Sequence, residues 1–307
     1  MSKAELIGLD WGSTSLRAML IDARGQVLCE RRSARGASTL AGGAAGPAAF
    51  AAALDELIAD WAPLGLPMLA CGMVGSQHGW REVPYADCPA DAQALAAGAL
   101  AVPWRGHALR LLPGLRCESA AGVPDLMRGE ETQLLGALTL APELGARSCV
   151  VMPGTHSKWA RVVDGRLLGF ATHLTGELYA LLRQHSVLAR LMPSEDFSDP
   201  SAFAAGVRAA RERGEEGLSH QLFAVRTLGL GGHLAGSALP DYLSGLLIGH
   251  ELRAGLAARD ADAPLVLVGE PALCQRYASA LALFDRAAPR LLPNTAALGL
   301  WRLSQSC

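Results

Sequence analysis

Leu6-Ile7-Gly8-Leu9-Asp10-Trp11-Gly12-Ser13-Thr14-Ser15-Leu16 runs from an apolar stretch through an acidic residue into a polar glycine turn. The run Leu6–Leu9 reads as a buried strand ending at Asp10, and the residues after Trp11 turn the chain back. Leu16 to Ile21 alternates as a second strand, Asp22-Ala23-Arg24-Gly25 turns again, and Val27 to Arg32 forms a third. Such short turns predict an antiparallel meander, because parallel neighbours need a long crossover. The pattern returns about 142 residues later, Ser148 standing where Leu6 stood. A strand, Ser148–Met152, enters the turn Pro153-Gly154-Thr155-His156-Ser157-Lys158. Strands at Trp159–Val163 and Leu167–His173 then flank Asp164-Gly165-Arg166. The echo lies in pattern more than in identity. It predicts two related α/β domains facing one another across a cleft.

Working outward, Phe50, Leu54, Leu57, Ile58 and Trp61 recur at helical spacing, with Pro47 at a first helical position. Pro67–Cys71 reads as a strand running into the loop Gly72–Trp80, Leu109–Leu112 as another strand, and Gly129–Leu140 as a helix. The later half reads as mainly helical, at Gly176–Leu191, Phe203–Arg211 and Asp241–Ala258. A strand at Pro264–Gly269, a helix at Leu273–Phe284 and a closing helix at Thr295–Leu303, capped by Asn294, complete it. The junction is expected around Ala141–Arg147, giving domains 1–145 and 146–307. The last helix, about 294–307, is free to pack back on the first.

Half of the 307 residues are apolar and 18% are charged, enough for a packed core and too apolar for disorder. A net charge of −2 leaves no basic excess for nucleic acid. The longest charge-free runs fall short of the roughly 18 apolar residues of a membrane span. Lys3, Glu5 and Asp10 interrupt any signal-like start. Seven cysteines without a CxxC predict reduced thiols and no zinc cluster. The expectation is a cytoplasmic protein with no nucleic-acid or membrane partner, and a homo-oligomer is compatible with it.

Asp10, Gly12, Ser13 and Thr14 combine one fixed carboxylate with small donors on a tight turn. Phosphates want such donors, and Mg²⁺ wants an oxygen ligand, here Asp10. An ordinary hairpin with a capping Asp is the plainer alternative. The second turn adds Gly154, Thr155, His156 and Lys158, and the paired placement favours phosphate binding. No GxxxxGK[ST] loop exists, and Gly229-Leu230-Gly231-Gly232 does not complete GxGxxG and reads as a flexible connection. Arg128-Gly129-Glu130-Glu131 sets two carboxylates at a helix start and is the candidate for acid–base work, against a reading as helix-end electrostatics. Adjacent helical residues point about 100° apart, so one of the pair is expected to serve as base, and Gly129 favours Glu130. The loop with Ser76 and Trp80 suits a small polar ligand. Arg128 or Arg81 suits a carboxylate. Thr175-Gly176-Glu177 reads as a helix cap, as does Asp241.

These residues together resemble a known family. The duplicated strand–turn–strand pattern resembles the actin-like (ribonuclease H-like) ATPase superfamily of sugar kinases, chaperones and actin. Leu9–Thr14, Gly72–Ser76 with Gly79-Trp80, Met127–Gly136, Pro153–Trp159, Thr175–Glu177, His185-Ser186 and Leu243–Gly249 are similar to the 2-dehydro-3-deoxygalactonokinase family. The resemblance implies ATP-dependent phosphorylation of 2-dehydro-3-deoxy-D-galactonate at its 6-hydroxyl, in D-galactonate catabolism, with Mg²⁺. It implies nucleotide contacts at Gly269 besides the two turns, and sugar-acid contacts at Ser76, Trp80, Arg128 and Glu177. Glu270-Pro271 departs from the small polar residues expected beside the adenine. Alternatives are another sugar kinase of this fold, an exopolyphosphatase-like phosphohydrolase and a nucleotide switch without a small acceptor.

Overall fold

A computed structural model describes residues 3–41, 46–119, 121–195 and 198–306. The opening meander forms as expected: β1 (Ala4–Trp11), β2 (Leu16–Asp22) and β3 (Val27–Ser33) pair antiparallel. The Asp22 carboxylate accepts the Arg24 and Gln26 N–H groups at 2.9 Å each, fixing the second turn. The helix Pro47–Ile58 buries Phe50, Ala53, Leu54 and Ile58 and supplies the crossover to β4 (Met68–Gly72), parallel to β1. After β5 (Ala86–Asp87) come β6 (Leu100–Trp104) and β7 (His107–Leu111), and the six-stranded sheet has the order β3-β2-β1-β4-β7-β6. Strands β8 (Leu115–Glu118) and β9 (Pro124–Met127) join β5 in a small separate sheet.

The second half repeats the plan. Strands β10 (Arg147–Met152), β11 (Ser157–Val163), β12 (Arg166–His173), β13 (Leu265–Val268) and β14 (Arg290–Leu292) lie in the order β12-β11-β10-β13-β14. Ranked by appearance, both sheets begin third, second, first, fourth; β7 and then the antiparallel edge strand β6 follow in the first and β14 in the second, and β1, β4 and β7 run parallel as β10, β13 and β14 do. The repeat suspected from two glycine turns is thus a repeat of topology. Asp164 and Gly165 both take positive φ, 49° and 70°, the two-residue turn that matches strand twist.

Two compact units result: Met1–Ser148 with Ala160–Phe170 and Asn294–Cys307, and Cys149–Trp159 with Ala171–Pro293. The core of the first gathers Ile7, Leu9, Trp11, Phe50, Leu54 and Trp80. In that unit the helix Ala296–Ser304 lies against the helix Glu130–Leu140, and the Thr295 hydroxyl donates to the Gln133 carbonyl at 2.6 Å. The second unit packs the helices Pro200–Arg213 and Leu239–Ala258 together, and its sheet core holds Val151, Trp159, Phe203, Leu267 and Tyr277.

Several expectations need correction. A helix spans Leu218–Leu230, so Gly229 is helical and only Gly231-Gly232 form the turn. Helix Gly176–Leu191 stops at His185, with a short 3₁₀ turn at Ala189–Leu191. Asp241 does not cap its own helix. Its carboxylate, inside the first turn, takes the Asp199 N–H at 2.5 Å and Arg276 at 2.6 Å. Thr175 also caps nothing. No disulfide joins the described cysteines, and Cys307 lies outside the described residues. No described helix is long and apolar enough to cross a membrane.

Candidate active site

In the first unit, the carboxyl ends of the parallel strands β1 and β4 bring the early motifs together, the position where open α/β sheets bind ligands. Gly72 (φ 92°) closes β4 so near the Trp11 carbonyl that a Cβ there would sit 2.6 Å from it. Gly129 (φ 113°) would place a Cβ 3.3 Å from the Gly72 Cα. Both need positive φ and close backbone approach, which glycine alone supplies without strain. The result sets Asp10, Cys71 and the start of the helix Glu130–Leu140 side by side. Arg17 donates to Asp10 at 3.1 Å and to Asn294 at 3.0 Å. Burial raises the Asp10 carboxyl above its usual value while Arg17 opposes the rise. Ser13 and Thr14 are exposed on the turn, which Gly12 closes through its N–H to the Ser15 carbonyl at 2.9 Å.

Glu130 and Glu131 face different surroundings. Glu130 is half-buried and accepts the Arg128 N–H at 3.0 Å. Glu131 is 1% exposed and accepts the Gly129 N–H at 2.7 Å. Burial first, and the Glu130 charge second, push Glu131 up to about 8. Below its ordinary 4.5 this proton contributes its full stabilisation, which fades as pH rises through about 8. Glu131→Gln, isosteric with the protonated form, is therefore expected to match the parent in melting temperature near pH 4, to gain on it as pH rises, and to exceed it by several degrees at pH 9. Parallel melting curves across that range would show that Glu131 is ionised throughout.

Arg128 has the least ordinary surroundings. It is 9% exposed, Nη2 donates to the Val83 carbonyl at 2.8 Å, and the guanidinium lies 4.2 Å from the Tyr85 ring centre. Nε and Nη1 are buried without a partner. Nη1 lies beside Gly75, next to Ser76. Arg81 is exposed and reaches the Ala101 carbonyl instead. Trp80 is buried in an edge-and-stack trio with Trp11 and Phe50, so its ring belongs to the core.

In the second unit a cavity of about 650 Å³ is lined by Gly154, Thr155, Gly176, Asp241, Ser244 and Tyr277, among others. Gly176 packs so tightly on Gly154 and Thr155 that any Cβ would collide with their backbone. Gly269 (φ 147°) ends β13 near the Pro153 carbonyl, so it joins the same turn. His156 and Glu177 pair with each other. Strand alternation puts Lys158 on the face opposite Ser157 and Trp159. It is buried there and donates to the Thr172 hydroxyl at 2.8 Å. Glu270 caps the helix Pro271–Ala282 through the Ala272 and Leu273 N–H groups, and Pro271 takes its first position. The departure at Glu270-Pro271 is thus a helix start. Sequence reasoning passed over Glu251, which no local motif marks and which joins Ser157, Trp159, Thr175 and Tyr277.

The family model described as 2-keto-3-deoxy-galactonokinase matches residues 10–303. The 2-dehydro-3-deoxygalactonokinase of Escherichia coli (strain K12) is 39% identical over 283 residues, covering 90% of this chain and 89% of that one. "Probable 2-dehydro-3-deoxygalactonokinase DgoK1" of Rhizobium meliloti (strain 1021) is 42% identical over 284 residues, 89% and 87% of the two chains. A crystal structure described as a putative 2-dehydro-3-deoxygalactonokinase protein from Sinorhizobium meliloti superposes with a TM-score of 0.83 at 36% identity, over 98% of this chain and 97% of that one. At 14% identity and a TM-score of 0.50, covering 99% of both chains, (R)-2-hydroxyglutaryl-CoA dehydratase component A of Acidaminococcus fermentans shares the fold alone.

Proposed function

Because the chain belongs to the 2-keto-3-deoxy-galactonokinase family, has the actin-like sugar-kinase fold and is therefore a kinase, we propose that it transfers the terminal phosphate of ATP to the 6-hydroxyl of 2-dehydro-3-deoxy-D-galactonate. The observation that carries the choice of substrate is Arg128. A buried guanidinium with unpartnered nitrogens is costly by itself, and a carboxylate relieves it: Nη1, with the hydrogen of Nη2 not given to Val83, presents two parallel N–H groups. A sugar acid has that carboxylate at one end and a primary hydroxyl at the other. The Arg128 stem carries its guanidinium toward Val83 and Tyr85. That leaves Glu130, at the helix start, for the opposite end of the acceptor. Ser76, the residue after Gly75, offers a hydroxyl to the acceptor.

Glu130 is the base in this scheme. A carboxyl that keeps its proton up to about 8 does not accept another at neutral pH, which argues against Glu131. The nucleotide belongs to the second unit's cavity, with Gly154, Thr155 and Gly269 giving the close backbone approach that phosphates need. His156, paired with Glu177, and Lys158 complete the second turn's polar set.

Mg²⁺ fits the donors present. Among the described residues no three His, Cys, Asp or Glu side chains cluster as a cage. Mg²⁺ carried on phosphates takes only one or two carboxylates, and the partly exposed Asp10 can be one. When bound, Mg²⁺ neutralises charge on the transferring phosphate. Asp10→Asn and Lys158→Ala are both expected to weaken Mg–ATP-dependent turnover far more than folding. Normal turnover of both at saturating ATP and magnesium would remove the two turns from the site. The deciding assay is ADP production with 2-dehydro-3-deoxygalactonate, with its gluconate-derived epimer and with no acceptor. Equal rates without acceptor would identify a phosphohydrolase.

A further inference from the structure

Glu251 lies inside the helix Leu239–Ala258, 3% exposed, with four donors converging on its two carboxylate oxygens. Oε1 accepts the Ser157 hydroxyl at 2.7 Å and the Trp159 indole N–H at 2.8 Å. Oε2 accepts the Tyr277 hydroxyl at 2.6 Å and the Thr175 hydroxyl. The donors come from three places. Ser157 and Trp159 share one face of β11 directly after the glycine turn, Thr175 begins the helix Thr175–His185, and Tyr277 belongs to the helix Pro271–Ala282. Thr175 and Tyr277 also line the cavity that holds Gly154 and Thr155. A buried carboxylate is costly unless its hydrogen bonds are satisfied, so the arrangement is maintained against a simpler apolar packing.

We infer that Glu251 is a positioning residue of the nucleotide site, fixing the glycine turn to the two helical walls of the cavity so that the backbone groups facing the phosphates are set before nucleotide arrives. One oxygen holds the turn side and the other holds the walls, so the carboxylate is the single piece that relates them. The inference rests on the placement of the nucleotide in this cavity. Burial and the Glu251 charge both hold the Tyr277 phenol proton far above its usual range, which keeps that group a donor.

Glu251→Gln discriminates the two oxygens. The indole N–H of Trp159 can only donate, so the amide oxygen must stay with Ser157 and Trp159. The amide NH₂ then faces Thr175 and Tyr277, whose hydroxyls can turn round to accept. The turn side is kept and the walls are loosened. KM for ATP is expected to rise about tenfold, the scale of one altered buried hydrogen bond. KM for the sugar acid is expected to stay within about twofold. Tyr277→Phe removes one donor and leaves the carboxylate, so it should move KM for ATP in the same direction by less. A lower melting temperature with KM for ATP unchanged in both variants, assayed well below melting, would overturn the inference and leave Glu251 a structural group. Equal increases for both substrates would overturn it too. Ser244→Trp, which fills the cavity from its lining, separates this from the site assignment. If that variant still binds a non-hydrolysable ATP analogue normally in calorimetry, the nucleotide lies elsewhere and the inference falls with its premise.

Discussion

Glu130→Gln is expected to cut turnover by about two to four powers of ten, the usual worth of a positioned general base. ATP affinity should stay near the parent value, because Gly154, Thr155 and Gly269 belong to the other unit. The amide keeps the size of the side chain and can still accept the Arg128 N–H, so the helix start at Gly129 survives. Glu131→Gln is the matched control. It already carries a proton at neutral pH, so the substitution should leave turnover within a few fold. Steady-state rates for the two variants at pH 7 decide the matter. A large loss in Glu131→Gln alone reverses the assignment. No loss in either reduces both carboxylates to helix-end electrostatics, and the base must then be sought elsewhere.

The parts of this fold that were legible in the sequence are the local ones. The Asp22–Gly25 and Asp164-Gly165 turns announce hairpins through residues that tolerate their geometry, and the strands beside them follow by alternation. Strand β6 was hidden in the charge-free run Ala92–Trp104. It is an edge strand with Pro103 inside, a residue that argues against a strand anywhere but at an edge. The helix Leu218–Leu230 was hidden by glycines that end it rather than break it.

The site divides in the same way. Arg128, Gly129 and Glu130 form a contiguous motif whose chemistry reads directly from the residues. Trp80 stands in the same kind of glycine-rich loop, and its burial against Phe50, 30 positions earlier, is decided by tertiary packing. Glu251 is the extreme case. Its partners stand 26, 76, 92 and 94 residues away in the chain, so no window of sequence contains the network. Local chemistry is visible in a motif, whereas a buried polar hub becomes visible only when the fold closes around it.

Arg128→Met should separate binding from stability with opposite signs. The methionine keeps an apolar stem against Tyr85 and removes a buried charge, two of whose nitrogens have no partner in the protein alone. An isolated buried charge is unfavourable, so the free variant should melt no lower than the parent. Its kcat/KM for the sugar acid should fall by about two to three powers of ten, the cost of losing a desolvated, charge-assisted pair. Substrate should raise the melting temperature of the parent protein and do little for the variant, because stabilisation by mass action follows affinity. Arg128→Lys tests geometry rather than charge. An ammonium cannot present two parallel N–H groups, so the sugar-acid KM should still rise by about tenfold or more while KM for ATP holds. If Arg128→Met melts lower and retains sugar-acid affinity, the guanidinium is a structural cation held by Val83 and Tyr85. The carboxylate of the substrate would then need another partner, and Arg81, exposed near the Ala101 carbonyl, would be the next cation to replace.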